Sequence, residues 1–191
     1  KVDVVFHLAA AVGVRLIVER PGHTLLTNVR GTENVIEYAG RFGKPVLIAS
    51  SSEVYGDHPG EDLPLREDAR RIYGPTTAKR WAYADSKAMD EFLALAHHAE
   101  HDLDCVIVRL FNTVGPRQTG TYGMVIPRFV QQALAGQPLT LYGTGEQTRC
   151  FCNVKDTVRA VVALAEKPEA VGEIYNVGSQ EEITMRALAE R

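Results

Sequence analysis

An α/β fold, a Rossmann-like doubly wound parallel sheet, is predicted by three features of this 191-residue sequence. Short apolar runs rich in β-branched residues alternate with longer segments of helical periodicity, the pattern of β-α units. The runs at residues 2–10, 45–50 and 105–110 are apolar almost throughout, as strands covered on both faces require. Apolar residues make up 45% and charged residues 24% of the chain, which suits one α/β domain with a substantial core.

Taken in order, Val2-Asp3-Val4-Val5-Phe6-His7-Leu8-Ala9-Ala10 reads as the first buried strand. Residues 27–42 carry Val29, Val35, Ile36 and Tyr38-Ala39 at helical spacing, a pattern that stops around Gly40 and Gly43. Val46-Leu47-Ile48-Ala49 is the second strand, and residues 57–73, crowded with Gly, Pro and acids, form a loop. Residues 81–101 hold the strongest helical pattern, with Tyr83, Met89, Phe92, Leu93 and Leu95-Ala96 in register. Residues 105–110 make a third strand; 126–134 a helix ended by Gly136 and Pro138; and 154–166 another, opened by Asn153 or Asp156. Ile174-Tyr175-Asn176-Val177 is a last strand that returns to the sheet, and Thr184 opens a final helix. The alternation loosens near Gly115, which suggests a nucleotide-binding part over 1–114 and a smaller substrate-binding part over 115–191. There are no repeats or low-complexity segments.

Several function classes drop out early. Net charge is −3 with scattered basic residues, so no nucleic-acid or membrane surface is expected. No apolar run reaches the roughly 18 residues of a membrane span. No basic-then-apolar leader opens the chain, although its first residues read as if a true start preceded them. Cys105, Cys150 and Cys152 are an odd, unframed set, expected to be reduced thiols of a cytoplasmic protein. On an alternating strand Cys150 and Cys152 would face one core, and a C-x-C without a partner cluster is no metal site. His97 and His101 stand one turn apart in His97-His98-Ala99-Glu100-His101, but without H-E-x-x-H order they read as an exposed helix end.

Four segments bear chemistry. Tyr83 and Lys87, four apart on the strongest helix, share one face one turn apart. A phenol of ordinary pKa about 10 is a poor base at neutral pH. A neighbouring ammonium is expected to lower it and let the tyrosine take a proton from a sugar hydroxyl. Ser50-Ser51-Ser52-Glu53-Val54-Tyr55-Gly56 leaves the second strand at its carboxyl end, where open parallel sheets bind ligands. Phe111-Asn112-Thr113-Val114-Gly115-Pro116-Arg117 leaves the third strand in the same way. Gly143-Thr144-Gly145-Glu146-Gln147-Thr148-Arg149 lacks the third glycine and preceding strand of a dinucleotide fingerprint. It reads as a turn followed by a strand, with Arg149 free for a phosphate or carboxylate.

In this order and spacing, His7-Leu8-Ala9-Ala10, Ser-Ser-Glu-Val-Tyr-Gly, Tyr-x-x-x-Lys and Arg-Leu-Phe-Asn-Thr-Val-Gly-Pro resemble the extended short-chain dehydrogenases, the NAD-dependent epimerase/dehydratase group acting on nucleotide sugars. The resemblance runs from Val2 to the stretch ending at Gly178. It implies NAD as cofactor, with Ser51, Tyr83 and Lys87 matching the catalytic Ser/Thr-Tyr-Lys triad. It places Leu8, Ala9, Ala10, Asn28 and Ser50 on the cofactor side, with Phe111 and Val114 near the nicotinamide half. Asn112, Arg117, Val125, Tyr142, Gln147 and Arg149 fall at positions for the nucleotide diphosphate or its sugar. The family's opening G-x-x-G-x-x-G turn is not in this sequence, and its last substrate-contacting segment is not reached. The first strand is therefore expected to be a central strand with one edge bare, in part of a longer protein. The resemblance also implies a homodimer through a four-helix bundle built from residues 81–101 and 27–42.

Relatives of this type begin with a 4-keto sugar and then diverge to epimerisation, dehydration or decarboxylation. Glu53, two residues after Ser51, resembles dehydratases and UDP-glucuronate decarboxylases more than epimerases. Ser52 stands where dTDP-glucose dehydratases carry Asp. Lys79-Arg80-Trp81-Ala82-Tyr83 and Gln147-Thr148-Arg149-Cys150-Phe151 most resemble the UDP-glucuronate decarboxylase branch. UDP-sugar 4-epimerisation is the alternative, then GDP-mannose 4,6-dehydration; an inactive structural relative is the reading from another class.

Overall fold

The computed structural model describes residues 2–58, 63–119 and 124–191. The chain opens with β1 (Val5–His7), followed by a short helix α1 (Val14–Glu19) and a long helix α2 (Pro21–Arg41). β2 (Val46–Ser51) runs directly into a 3₁₀ turn at Ser52–Tyr55. Helix α3 (Trp81–His101) and strand β3 (Cys105–Leu110) have the limits expected from their sequences. After them come β4 (Thr113–Val114), α4 (Val125–Leu134), β5 (Thr148–Cys150), β6 (Cys152–Asn153), α5 (Val154–Ala165), a 3₁₀ turn at Pro168–Ala170, β7 (Ile174–Val177), β8 (Glu182–Thr184) and α6 (Met185–Glu190).

β1, β2, β3 and β7 form one parallel sheet in that spatial order. Helices cover both of its faces. Ile36 and Ala39 of α2 and Ala94 of α3 pack on Val46, Ile48, Cys105 and Ile107, while Val161 of α5 packs on Leu47, Val106, Val108 and Val177. Consecutive strand residues thus serve opposite cores, which is why the strands read as unbroken apolar runs.

Several expectations are revised. The first strand spans only Val5–His7 rather than residues 2–10; with β2 on one side and no strand on the other among the described residues, it has the one bare edge that was expected. α2 begins at Pro21, six residues before the expected start, since proline without an N–H is tolerated in a first helical turn. α1 was not anticipated; Gly13 before it supplies no side-chain cap. The loop over 57–73 partly lies outside the described residues (59–62), and its described end is tied down by a parallel bridge from Gly56 to Ile72. Gly56 adopts φ +79°, and a Cβ there would stand 1.9 Å from the Ile72 carbonyl oxygen.

Cys150 and Cys152 do not share a continuous strand. The chain changes partner at Phe151: β5 pairs antiparallel with β8, whereas β6 pairs parallel with β4. Cys152 is buried and Cys150 only half-buried. Asn153 caps α5 by accepting from the Lys155 N–H, and Thr184 caps α6 by accepting from the Ala187 N–H.

Candidate active site

The carboxyl ends of β1, β2 and β3 lie at one edge of the sheet, and α3 crosses beside them. Entry into α3 is fixed by aromatic packing. Trp81 stacks on Tyr73 at 5.3 Å between centroids, the Arg80 guanidinium lies 4.4 Å from the Trp81 ring, and Tyr73 donates to the Val54 carbonyl at 2.6 Å. Tyr83 therefore sits in the first turn of a helix clamped to the turn that follows β2.

Ser51 ends β2 and caps the 3₁₀ turn, its hydroxyl accepting from the Glu53 N–H at 3.2 Å. The same side chain is near enough to the Tyr83 phenol to favour its ionised form. Glu53 is exposed, yet close enough for its charge to bear on Tyr83. One strand end thus brings Ser51, Glu53 and Tyr83 together.

Lys87 is one turn farther along α3 and nearly sealed from solvent. Its ammonium donates to Asp90 Oδ2 at 2.6 Å, with both side chains buried. Burial, followed by the charges of Glu53 and Asp90, pushes the Tyr83 phenol up to about 12, against the lowering contribution of Ser51. The ammonium expected to lower the phenol is paired with an acid three residues on.

Asn28 is buried in α2. Its Oδ1 accepts from the Ala11 N–H at 2.6 Å, and its Nδ2 donates to the Ala11 carbonyl at 3.3 Å and to Ser86 Oγ at 3.0 Å. Ser86 in turn donates to the Tyr83 carbonyl at 2.7 Å. Asn28 thus joins the end of the Leu8-Ala9-Ala10 segment to the tyrosine-bearing helix. Leu8 and Ala9 remain exposed, Leu8 by 60%, and form an apolar shelf at the carboxyl end of the sheet.

Ser50 faces inward and donates to Glu91 Oε1 at 2.5 Å. Glu91 also takes two hydrogen bonds from Arg109, Nε to Oε1 at 2.9 Å and Nη2 to Oε2 at 2.7 Å. Burial works against the Arg109 charge, but Glu91 outweighs it and holds the guanidinium more firmly protonated than usual. Arg109 lies 4.7 Å from the Tyr55 ring and donates to the Glu67 carbonyl; Tyr55 donates to Asn176 Oδ1 at 2.6 Å. Asp90, Glu91 and Arg109 escaped the sequence reading. Their signal was present: two acids on a helix face lined by Ala84, Ala88 and Ala94, and a charge inside the apolar run of β3.

The remaining candidates fall into two groups. Phe111 lies over Tyr55 at 6.3 Å, and Asn112, at the exit of β3, donates to the Cys150 carbonyl at 3.1 Å. Val114 pairs with Asn153, so this exit is stitched to the segment following Arg149. Tyr142 and Gln147 brace one turn, Gln147 Nε2 donating to the Tyr142 carbonyl at 2.9 Å, while Arg128 lies 4.6 Å from the Tyr142 ring. Arg149 is exposed on β5, Val125 opens α4, and Arg117 is exposed with φ +69°. No hydrogen bond joins these last three to Ser51 or Tyr83 among the described residues.

The sequence pattern of the NAD dependent epimerase/dehydratase family matches residues 1–178. The chain belongs to that family. A UDP-N-acetyl-alpha-D-glucosaminuronate decarboxylase of Bacillus cytotoxicus is 44% identical over 189 residues, 98% of this chain and 57% of the relative. UDP-glucuronic acid decarboxylase 1 of Arabidopsis thaliana is 38% identical over the whole chain, which covers 42% of that protein. Among solved structures, a UDP-N-acetylglucosamine 4-epimerase from Methanobrevibacter ruminantium superposes with a TM-score of 0.89 at 32% identity, over 98% of this chain and 58% of that one. A UDP-glucuronic acid 4-epimerase from Bacillus cereus, in complex with UDP-glucuronic acid and NAD, gives 0.85 at 31%, over 98% and 57%. The chain spans about half the length of the curated relatives it matches. The family's cofactor suits the residues present: an open apolar shelf, Leu8 and Ala9, at a parallel sheet's carboxyl end, on the same edge as a tyrosine hydroxyl and a lysine ammonium.

Proposed function

We propose that the protein decarboxylates a UDP-hexuronate, UDP-glucuronate in the first instance, through a transient 4-keto sugar. The observation that carries this reading is Glu53: a carboxylate on the turn that Ser51 caps, its charge felt by the Tyr83 phenol. A 4-epimerase needs only to remove and return hydride at C4. Decarboxylation needs further proton handling at C5, and an acid beside the Ser51–Tyr83 pair supplies it. The decarboxylase names of the relatives from Bacillus cytotoxicus and Arabidopsis thaliana support the same choice.

In this reading Leu8, Ala9, Ala10, Asn28, Ser50, Phe111 and Val114 line the cofactor side, and Lys87 supports it. NAD, when bound, accepts the C4 hydride and brings a positive ring that favours the phenolate. Ser51 holds the C4 oxygen while Tyr83 takes its proton. The ketone at C4 is then β to the C6 carboxylate. The C5–C6 bond breaks, carbon dioxide leaves, and the electron pair passes into the 4-keto group. Glu53 returns a proton to C5, after which Tyr83 gives its proton back to the C4 oxygen as hydride returns to C4. Asn112, Arg117, Val125, Tyr142, Gln147 and Arg149 hold the nucleotide diphosphate and sugar, Arg149 pairing with the hexuronate carboxylate.

The test is the product mass after incubating the intact protein with UDP-glucuronate and NAD. Loss of one carbon dioxide is expected. An isomer of unchanged mass would assign 4-epimerisation, the activity named for the structural relatives from Methanobrevibacter and Bacillus cereus.

We further infer a homodimer. Leu26 and Tyr38 on α2 and Met89 and Phe92 on α3 are each about half exposed, on two helices that pack together. An apolar surface spread over adjacent helices suits burial against a second copy.

A further inference from the structure

The turn that carries Glu53 is held from more than one side. It is four residues long, Ser52–Tyr55, and its last two side chains, Val54 and Tyr55, are fully buried. Tyr73 donates to the Val54 carbonyl at 2.6 Å, and the Ile72 N–H donates to the Tyr55 carbonyl at 2.9 Å. Both of these anchors come from the segment that leads into α3. Another comes from β7, two strands away from β2 in the sheet: the Tyr55 hydroxyl donates to Asn176 Oδ1 at 2.6 Å, across 121 residues of chain. Asn176 pairs with Arg109 in the sheet register, and both its nitrogens are engaged. Its Nδ2 donates to the Leu65 carbonyl at 3.0 Å, which turns Oδ1 towards Tyr55, and its backbone N–H donates to Glu67 Oε1 at 2.8 Å. Arg109 completes the frame, donating to the Glu67 carbonyl at 2.9 Å with its guanidinium 4.7 Å from the Tyr55 ring. Asparagine is among the residues that strands disfavour. Its place in the four-residue strand Ile174–Val177 asks for a reason, and the Glu53 turn supplies one.

We propose that Asn176 is a positioning residue for the proton transfer to C5: through Tyr55 it fixes the turn on which Glu53 stands, and so the place of the Glu53 carboxylate. This rests on the reading of Glu53 as the acid that returns a proton to C5. One end of the turn is fixed by β2, with the Glu53 N–H donating to Ser51 Oγ at 3.2 Å. The other end depends on Tyr55, two residues after Glu53, whose hydroxyl is held by Asn176. Losing that bond loosens the Glu53 turn while Ser51, within β2, and Tyr83, within α3, keep their places. A reacting group displaced by about 1 Å can cost on the order of 10²-fold in rate. The effect therefore falls on the step that uses Glu53, not on the oxidation at C4 or the loss of carbon dioxide.

The variant is Tyr55→Phe in the intact protein, which removes one oxygen and keeps the buried ring. With UDP-glucuronate, formation of the finished decarboxylated sugar is expected to fall about tenfold, with KM changed by less than about twofold and first-turnover release of carbon dioxide nearly unchanged. Combined with Glu53→Gln, Tyr55→Phe should add almost nothing, because the acid it positions is already gone. Read without substrate, hydrogen exchange at the Glu53 amide should quicken by about tenfold, while that at Ile48 in β2 keeps its wild-type rate. Asn176→Ala removes the same bond from the strand side; it should behave alike in each measurement and serves if Tyr55→Phe does not fold. Unaltered exchange at Glu53, equal losses of finished sugar and carbon dioxide, or a loss that multiplies with that of Glu53→Gln each overturns the proposal. A wild-type protein that releases no carbon dioxide from UDP-glucuronate would count against the proposed reaction, and unaltered exchange at Glu53 against the role of Asn176.

Discussion

Arg109 and Glu91 meet through two hydrogen bonds, 2.9 and 2.7 Å, with neither side chain more than 7% exposed. The pair joins the third strand to the tyrosine-bearing helix, and Ser50, next to Ser51, adds a hydroxyl to the same carboxylate. Replacing Arg109 by Met would leave that carboxylate buried and uncompensated. The expected cost is about 3–5 kcal/mol in urea unfolding, and the paired change with Glu91→Leu should recover a large part of it. Additive losses would argue against coupling between the two.

Tyr83→Phe removes one oxygen from a buried ring and should leave the fold intact by circular dichroism. If Tyr83 transfers the C4 proton, turnover with UDP-glucuronate should fall by roughly 10²–10⁴-fold. A loss below tenfold would move the proton transfer to another group.

Glu53→Gln keeps shape and hydrogen-bonding capacity while removing the acid. Formation of the finished decarboxylated sugar should drop by about 10²-fold or more, while release of carbon dioxide in the first turnover, which precedes the proton transfer to C5, should be far less affected. Equal loss of both would place Glu53 at or before the loss of carbon dioxide.

His7 sets a pH dependence of stability. Burial first, then Lys87, holds its imidazole below the ordinary value of 6.5, with Asp90 opposing. The unfolded chain therefore takes up this proton sooner as pH falls. Stability present above 6.5 is lost as pH drops through the folded-state value. His7→Gln, which can still hydrogen-bond Thr32, should flatten the fall in the urea midpoint between about pH 7 and 5. Asp90 acts in the opposite sense, since burial raises its pKa from 3.8 and favours the folded state as pH falls.

The proposed dimer has a direct check. Phe92→Glu places a charge in the middle of the α2–α3 surface and should convert a dimer peak to a monomer in gel filtration, with melting behaviour otherwise retained. An unchanged elution volume would remove this surface as the interface.

What could be read in advance follows a physical division. α3 was legible to the residue because its apolar spacing persists over many turns, and β2 and β3 because burial on both faces leaves unbroken β-branched runs. β4, β5, β6 and β8 have two or three residues each and exist through distant partners such as Thr113 with Cys152, so no local pattern announces them. In the site, the spacing of Tyr83 and Lys87 was visible, but the destination of the lysine charge was not. That depends on a fold bringing His7 and Thr32 around Asp90, residues far apart in the chain.

The place of β7 has a consequence for synthesis. Residues 174–177 pair with 107–110, yet they leave the ribosome long after β3 does. Throughout that interval the nascent chain carries Ile107-Val108-Arg109-Leu110 with its hydrogen-bonding groups unmatched on one side, and Asn176 is not yet available to Tyr55. A polypeptide halted before residue 174 would keep that edge permanently open to strands of other molecules, so its fate during translation should turn on chaperone capture.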